Sequence, residues 1–255
     1  MIYSKNILGV IPARYNSNRL PGKPILDICG RPMIQWVYEN SIECDRLTHL
    51  VVATDDQRVF DVVTGFGGNC VMTSPDHVSG TSRVCEVAEL MPNFDFFINI
   101  QGDQPFIKKE TLDDICDATQ SMGLESAVMT LISDIREEDE DDISIPKVVI
   151  DKKGMAIYFS RFPIPFNRSL KPIDLSMYYK HLGVYGFTKN SIKIIKNMAP
   201  SYLEEAEGLE QLTWIYEGLP VYTKKSADID KISVDTITDL DRAIEIAEEN
   251  DDRAS

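Results

Sequence analysis

ILGVIP (Ile7–Pro12) is an almost continuous apolar run, followed by ARYNSNRLPGKP (Ala13–Pro24), a loop rich in small residues, prolines and cations. A short run without polar alternation marks a strand buried on both faces, as in a parallel sheet. Similar runs recur as HLVVAT (His49–Thr54), closing on Asp55-Asp56, and as FFINIQ (Phe96–Gln101), running into Gly102-Asp103. Asn69–Met72 is a further, shorter strand. Between them, helices are predicted over Met33–Ser41, opened by Arg31-Pro32, and over Arg58–Phe66, ended by Gly65, Gly67 and Gly68. A third covers Thr81–Leu90 and stops at Pro92. Strands alternating with helices at this spacing predict an α/β fold: a Rossmann-like, mostly parallel sheet with helices on both faces.

The pattern changes after residue ~125. Ala127–Leu131, Lys147–Asp151, Met155–Ser160, His181–Phe187 and Pro220–Lys224 read as strands, with Lys152-Lys153-Gly154 as a hairpin turn. Helices are predicted over Ser191–Asn197, Leu203–Tyr216 and Thr238–Glu248. Residues 1–255 read as one domain, in which about 135–200 forms a smaller mixed β insertion, suited to a second wall of a site or to dimer contacts.

With 255 residues, 43% hydrophobic, the chain is long enough for such a core, and its composition excludes a disulfide-stapled mini-protein or a disordered tail. No apolar run approaches the ~20 residues of a membrane span. The N-terminus lacks the apolar core and cleavage site of a signal peptide. The five cysteines include no C-x-x-C pair, so free thiols in a reducing cytoplasm are expected and a structural zinc is not. A net charge of −15 disfavours nucleic acid as a partner. That average conceals a basic island. Residues 1–31 carry Lys5, Arg14, Arg19, Lys23 and Arg31 against one acid, Asp27. A basic, Pro- and Gly-rich island on an acidic protein points to a local site for a small polyanion. The acidic run Glu137–Asp142 reads as a solvated loop.

In open α/β sheets, ligands bind outside the carboxyl ends of the strands. The loop after Ile7–Pro12 holds Arg14, Arg19 and Lys23 among residues whose backbone can cradle phosphate, although it is neither a Walker A loop nor G-x-G-x-x-G. Asp103, in QGDQP, is a carboxylate at a strand end, placed either to turn the chain or to hold Mg²⁺. Asp235, in SVDT, is either a helix N-cap or, if Thr236 or Thr238 caps, a second metal carboxylate. HVSGT (His77–Thr81) precedes a helix and reads equally as an anion site or as an ordinary cap. His181 and Tyr185 share one strand face, with Ser160-Arg161 and Glu210-Gln211 as further polar candidates.

Taken together, IPARYNSNRLPGKPILDICGRPMI (11–34), VVATDD (51–56), HVSGTSR (77–83), NIQGDQP (99–105), YFSRFPIPF (158–166), HLGVYGF (181–187), LEQL (209–212) and VDTITDL (234–240) resemble the CMP-Kdo synthetase family, the 3-deoxy-manno-octulosonate (Kdo) cytidylyltransferases. IPAR…PGKP marks a wider group of sugar cytidylyltransferases; QGDQP with HLGVYGF and LEQL is more specific. The resemblance implies a Mg²⁺-dependent nucleotidyltransferase that joins CTP and Kdo into CMP-Kdo and pyrophosphate for lipopolysaccharide or capsule synthesis, in a cytoplasmic homodimer. It implies that Ala13, Arg14, Lys23, Ser79, Gly80 and Arg83 bind the nucleotide and that Asp103 and Asp235 hold Mg²⁺. Arg14, Lys23, Asp103 and Asp235 are its catalytic set. Arg19, Gln101, Arg161, His181, Tyr185, Glu210 and Gln211 are implied to face the sugar acid.

Two residues depart from the family pattern. Ser82 stands where an acid is usual before the Arg of SGT-[DE]-R, and Ser233 where Gly is usual before VDT. The alternatives are a cytidylyltransferase for 8-amino-Kdo or another acidic sugar, and a catalytically silent nucleotide-binding homologue. Intact Arg14, Lys23, Asp103 and Asp235 argue against silence. A GT-A glycosyltransferase is a further alternative, and no D-x-D stands at the end of a predicted strand to support it.

Overall fold

The computed structural model describes residues 6–16, 19–168, 178–227 and 232–254. The chain forms two compact units, Met1–Asp113 with Ile229–Ser255, and Asp114–Asp228.

In the first unit, β1 (Ile7–Ala13) leads through a 3-10 turn (Lys23–Ile25) to a small hairpin, β2 (Asp27–Ile28) and β3 (Arg31–Pro32), then α1 (Met33–Ile42). There follow β4 (His49–Thr54), α2 (Gln57–Gly65), β5 (Cys70–Met72), α3 (Gly80–Leu90) and β6 (Phe96–Asn99). The strands lie in the order β6-β1-β4-β5, every pair parallel. β1 buries all its residues but Pro12, which is half-buried; this is what its continuous apolar run requires of a central strand. α1 starts at Met33 as expected, with Pro32 just outside it at the N-cap and not in its first turn, and it buries Met33, Ile34, Val37, Tyr38 and Ser41, one face at helical spacing.

α4 (Lys109–Ser121), which the sequence reading left unassigned, carries the chain into the second unit. It is followed by β7 (Val128–Asp134), β8 (Lys147–Ile150), β9 (Ala156–Ser160), β10 (Tyr179–Thr188), α5 (Lys189–Ile195), α6 (Tyr202–Glu207), α7 (Gln211–Tyr216) and β11 (Val221–Lys225). Here β11 pairs parallel with β7, while β7–β10, β10–β8 and β8–β9 are antiparallel. The mixed β segment expected at about 135–200 lies within this unit, and Lys152-Lys153-Gly154 turns β8 into β9. One expectation is corrected. Leu203–Tyr216 is not a single helix. Gly208 takes a left-handed conformation (φ 63°) and ends α6, and α7 begins at Gln211, after its N-cap Glu210.

The closing helix α8 (Ile237–Ala254) returns to the first unit. Leu240, Ala243 and Ala247 pack with Ile28, Met33 and Val234, flanked by Leu26, Trp36 and Phe106. This packing anchors the segment that carries Asp235.

Candidate active site

A cleft of about 450 Å³ opens in the first unit at the carboxyl ends of β1 and β6. Every residue expected on the nucleotide lines it: Ala13, Arg14, Lys23, Ser79, Gly80 and Arg83. Asp103, Asp235, Arg19 and Gln101 join them. The lining also includes Asn16 and Asn99, which the sequence reading did not single out; Asn99 is buried, and its Nδ2 donates to Thr81 Oγ1 at 3.3 Å. Asn99 ends β6, and the strand-end rule would have found it.

The geometry follows from local backbone rules. Gly22 adopts φ 71° and donates its N–H to the Tyr15 carbonyl at 2.8 Å, so the basic loop closes on itself. The 3-10 turn then starts at Lys23 with Pro24 fixing its first residues. At Gly102 a Cβ would stand 2.6 Å from the Pro12 carbonyl oxygen, so only glycine lets the chain turn this close to β1 and bring Asp103 beside it. Val234 N–H donates to the Asp103 carbonyl at 2.9 Å, which sets Asp235 next to Asp103 across 132 positions of sequence.

The cap of α8 is made by residues other than Asp235. Thr236 Oγ1 accepts the Asp239 N–H at 3.3 Å, and the Asp239 carboxylate accepts the backbone N–H groups of Asp235 (3.1 Å) and Thr236 (2.8 Å). Burial pushes the Asp239 carboxyl up, but these bonds outweigh it and hold it below its usual range. Thr236 caps the helix, and the Asp235 carboxylate faces the cleft.

There, Lys23 Nζ lies 3.0 Å from Asp103 Oδ2 and 3.0 Å from Asp235 Oδ1, and Arg19 Nη2 lies 3.0 Å from the same Asp235 oxygen. The Lys23 ammonium thus bridges the two carboxylates, and Asp235 also pairs with Arg19. Among the described residues no group of three or more His, Cys, Asp or Glu is arranged for a metal. Mg²⁺ does not need three, since it is commonly held by one or two carboxylates together with substrate phosphates and water. The donor set fits Mg²⁺ as part of a metal–nucleotide complex and does not fit a cage made of protein alone.

The second nucleotide segment is an N-cap. Ser79 Oγ accepts the Ser82 N–H at 3.1 Å, and Ser82 Oγ accepts the Ser79 N–H at 3.2 Å, a reciprocal capping box. Ser82 thus does locally what an acid does at that helix position. His77 bonds the Glu86 carboxylate, which also accepts the Ser74 N–H at 2.9 Å. Burial raises the Glu86 carboxyl, but the His77 and Ser74 bonds hold it below its ordinary value. Arg83 is fully buried. Its Nη1 donates to Thr73 Oγ1, and its Nη2 faces Asp55 Oδ1 at 3.4 Å without hydrogen-bond alignment. Burial pushes its guanidinium pKa down, partly offset by Asp55.

In the second unit, His181, Tyr185 and Gln211 are brought together. Thr130 Oγ1 donates to the Val184 carbonyl at 2.7 Å, so its 2.8 Å bond to His181 Nε2 is one that the imidazole N–H donates. The His181 ring lies 5.1 Å from Phe159 and 5.2 Å from Tyr185, centroid to centroid. Buried Tyr185 donates its O–H to Gln211 Oε1 at 2.8 Å, and burial, with Glu210 and Glu204 nearby, pushes its phenol well above the usual range. Gln211 Nε2 is buried with no hydrogen-bond partner among the described residues. Glu210 stands half-buried at the N-cap of α7. Arg161 is held differently. Its guanidinium donates to the carbonyls of Glu207 (2.6 Å), Ile143 (2.9 Å) and Gly208 (3.3 Å). These bonds latch the end of β9 to the end of α6.

A parallel sheet with a basic loop and a capped helix at its strand ends, and with one carboxylate after β6 paired to another before α8, is the layout of a nucleotidyltransferase. The family model described as cytidylyltransferase matches residues 8–229. The 3-deoxy-manno-octulosonate cytidylyltransferase of Leptospira interrogans (strain 56601) is 42% identical over 247 residues, covering 94% of this chain and 96% of its own. That of Acaryochloris marina is 42% identical over 243 residues, covering 93% and 96%. A solved CMP:2-keto-3-deoxy-manno-octonic acid synthetase complexed with CTP superposes with a TM-score of 0.88 at 37% identity, over 96% of this chain and 99% of that one. The chain belongs to the 3-deoxy-manno-octulosonate cytidylyltransferase (CMP-Kdo synthetase) family. Among the described residues no helix is long and apolar enough to cross a membrane.

Proposed function

We propose that this protein transfers the CMP group of CTP to Kdo, giving CMP-Kdo and pyrophosphate, and so supplies an activated sugar acid for lipopolysaccharide or capsule synthesis. The observation that carries the reading is the convergence of Lys23, Asp103 and Asp235 in a cleft lined by every nucleotide residue of the family motif. The anomeric hydroxyl attacks the α-phosphate. The new O–P bond forms as the bond to pyrophosphate breaks, and no covalent enzyme intermediate is required. Catalysis is then positioning plus charge stabilisation. In this reading Arg14 and Lys23 neutralise the triphosphate, and the first turn of α3, capped by Ser79 with Gly80 at its start, offers backbone N–H groups to the nucleotide. Asp103 and Asp235 hold Mg²⁺, which when bound supplies charge neutralisation on the phosphates.

For the sugar acid we assign Arg19 and Gln101 in the first unit. In the second unit we assign His181, Tyr185, Glu210 and Gln211, with Arg161 fixing the backbone of its own unit. The orphan Nε2 of Gln211 supports this assignment, because a buried amide donor needs an acceptor such as a sugar oxygen. A cytoplasmic homodimer belongs to the same reading, and light scattering on the eluted protein tests its oligomeric part. The activity is tested by pyrophosphate release with each NTP against a panel of sugar acids. Release should require CTP and be fastest with Kdo, and a faster reaction with another nucleotide or acid would replace the assignment.

A further inference from the structure

We infer that Lys23 is a resident counter-ion that makes metal entry depend on the nucleotide. The inference rests on the reading that Asp103 and Asp235 hold the metal. The two carboxylates are brought together by backbone, through Val234 N–H on the Asp103 carbonyl and the Asp239-anchored cap of α8. Their convergence does not depend on a bound ion. Like charges held this close need a cation between them, and the Lys23 ammonium fills that place at 3.0 Å from each. It is well shielded, with 16% of its side chain exposed against 24% for Asp103 and 35% for Asp235. The root of the side chain is fixed by Gly22 and Pro24, whereas the four-carbon stem is free to swing.

An ammonium and a divalent ion cannot both occupy the point where the two carboxylates converge. A metal arriving alone has to drive the ammonium into a cleft already lined by Arg14 and Arg19, with no anion to receive it. A triphosphate supplies that anion. Lys23 then moves from the carboxylates to the phosphates as the metal takes its place. Metal and nucleotide binding are thereby positively coupled. The free enzyme stays charge-balanced and holds metal weakly.

The test is Mn²⁺ binding to the full chain without nucleotide, read from the free Mn²⁺ signal in electron paramagnetic resonance. Lys23→Met should bind one Mn²⁺ about tenfold or more tighter than wild type, the scale of removing a unit charge from contact distance. Lys23→Arg, which keeps the charge, should stay within about threefold of wild type. The double variant Lys23→Met with Asp103→Asn should lose the gain. If Lys23→Met does not fold by circular dichroism, Lys23→Gln carries the same expectation. Unchanged affinity in the folded, neutral variant overturns the inference, as does an equal gain in Lys23→Arg. A parallel titration with CTP present separates the two levels. If Asp103→Asn and Asp235→Asn retain wild-type Mn²⁺ binding there, the metal reading itself fails. If they lose it while neutral Lys23 variants show no gain without nucleotide, only the coupling fails.

Discussion

Arg83→Met removes the one fully buried guanidinium that lines the cleft among the described residues, while keeping most of its aliphatic volume. Its side chain is 1% exposed and that of its partner Asp55 15%. Deleting one member of a buried pair costs roughly 3–5 kcal/mol, chiefly from the charge left behind. Two features place this case at the low end. Water retains some access to Asp55, and the 3.4 Å separation is outside a good hydrogen bond. Thr73 still donates to the Thr54 carbonyl at 3.1 Å after Arg83 is gone, so its hydroxyl adds little. The single substitution should cost about 3 kcal/mol at pH 7. Adding Asp55→Asn removes the stranded charge, and the double variant should recover about 2 kcal/mol relative to additivity. The chain has two tryptophans, Trp36 in the first unit and Trp214 in the second. Urea unfolding followed by Trp36 fluorescence in a Trp214→Phe background therefore reports on the unit that holds the pair. A loss below about 1 kcal/mol, or a double variant as unstable as the sum of the singles, refutes the reasoning.

Asp103→Asn and Asp235→Asn should each lower turnover by roughly a hundredfold or more at saturating Mg²⁺, measured as pyrophosphate release. Ser82→Ala should cost about 1 kcal/mol in a thermal melt by breaking the capping box of α3, whereas Ser82→Glu should stay within about 0.5 kcal/mol of wild type; equal losses would show that the cap does not act reciprocally. Glu86 is held below its ordinary 4.5, so its contribution is present above that pH and disappears as pH falls from 4.5 through the lowered folded value. Glu86→Gln should destabilise the protein at pH 7 and flatten the acid limb of its Tm–pH curve, and parallel limbs would contradict the His77–Glu86 linkage.

The sequence makes the first unit readable because its strands are buried on both faces. ILGVIP and HLVVAT are apolar runs too short for a helix, and β1 and β4 start where the runs start. α4 was harder. Leu112, Ile115, Cys116 and Thr119 are buried at helical spacing, but the charges of KETLDDICDATQS mask that stripe in a reading led by apolar runs. The break at Gly208 went unread because an isolated glycine is often tolerated in a helical pattern. In the site, the residue types of Arg14, Lys23, Asp103 and Asp235 at strand and loop ends were legible. Lys23 standing between the two carboxylates was not, since it depends on the Val234–Asp103 backbone bond across the chain. Nor do the carbonyl partners of Arg161 leave any trace in local sequence, because a charged side chain donating to backbone has no complementary residue to find.

The most direct measurement is the initial rate of pyrophosphate release by the purified full-length protein with Mg²⁺, Kdo and each of CTP, UTP, ATP and GTP. The account predicts rapid release with CTP, at least about a hundredfold slower release with the others, and none when Kdo is omitted. Release that is independent of the sugar acid, or no release with CTP and Kdo from a folded protein, would contradict it.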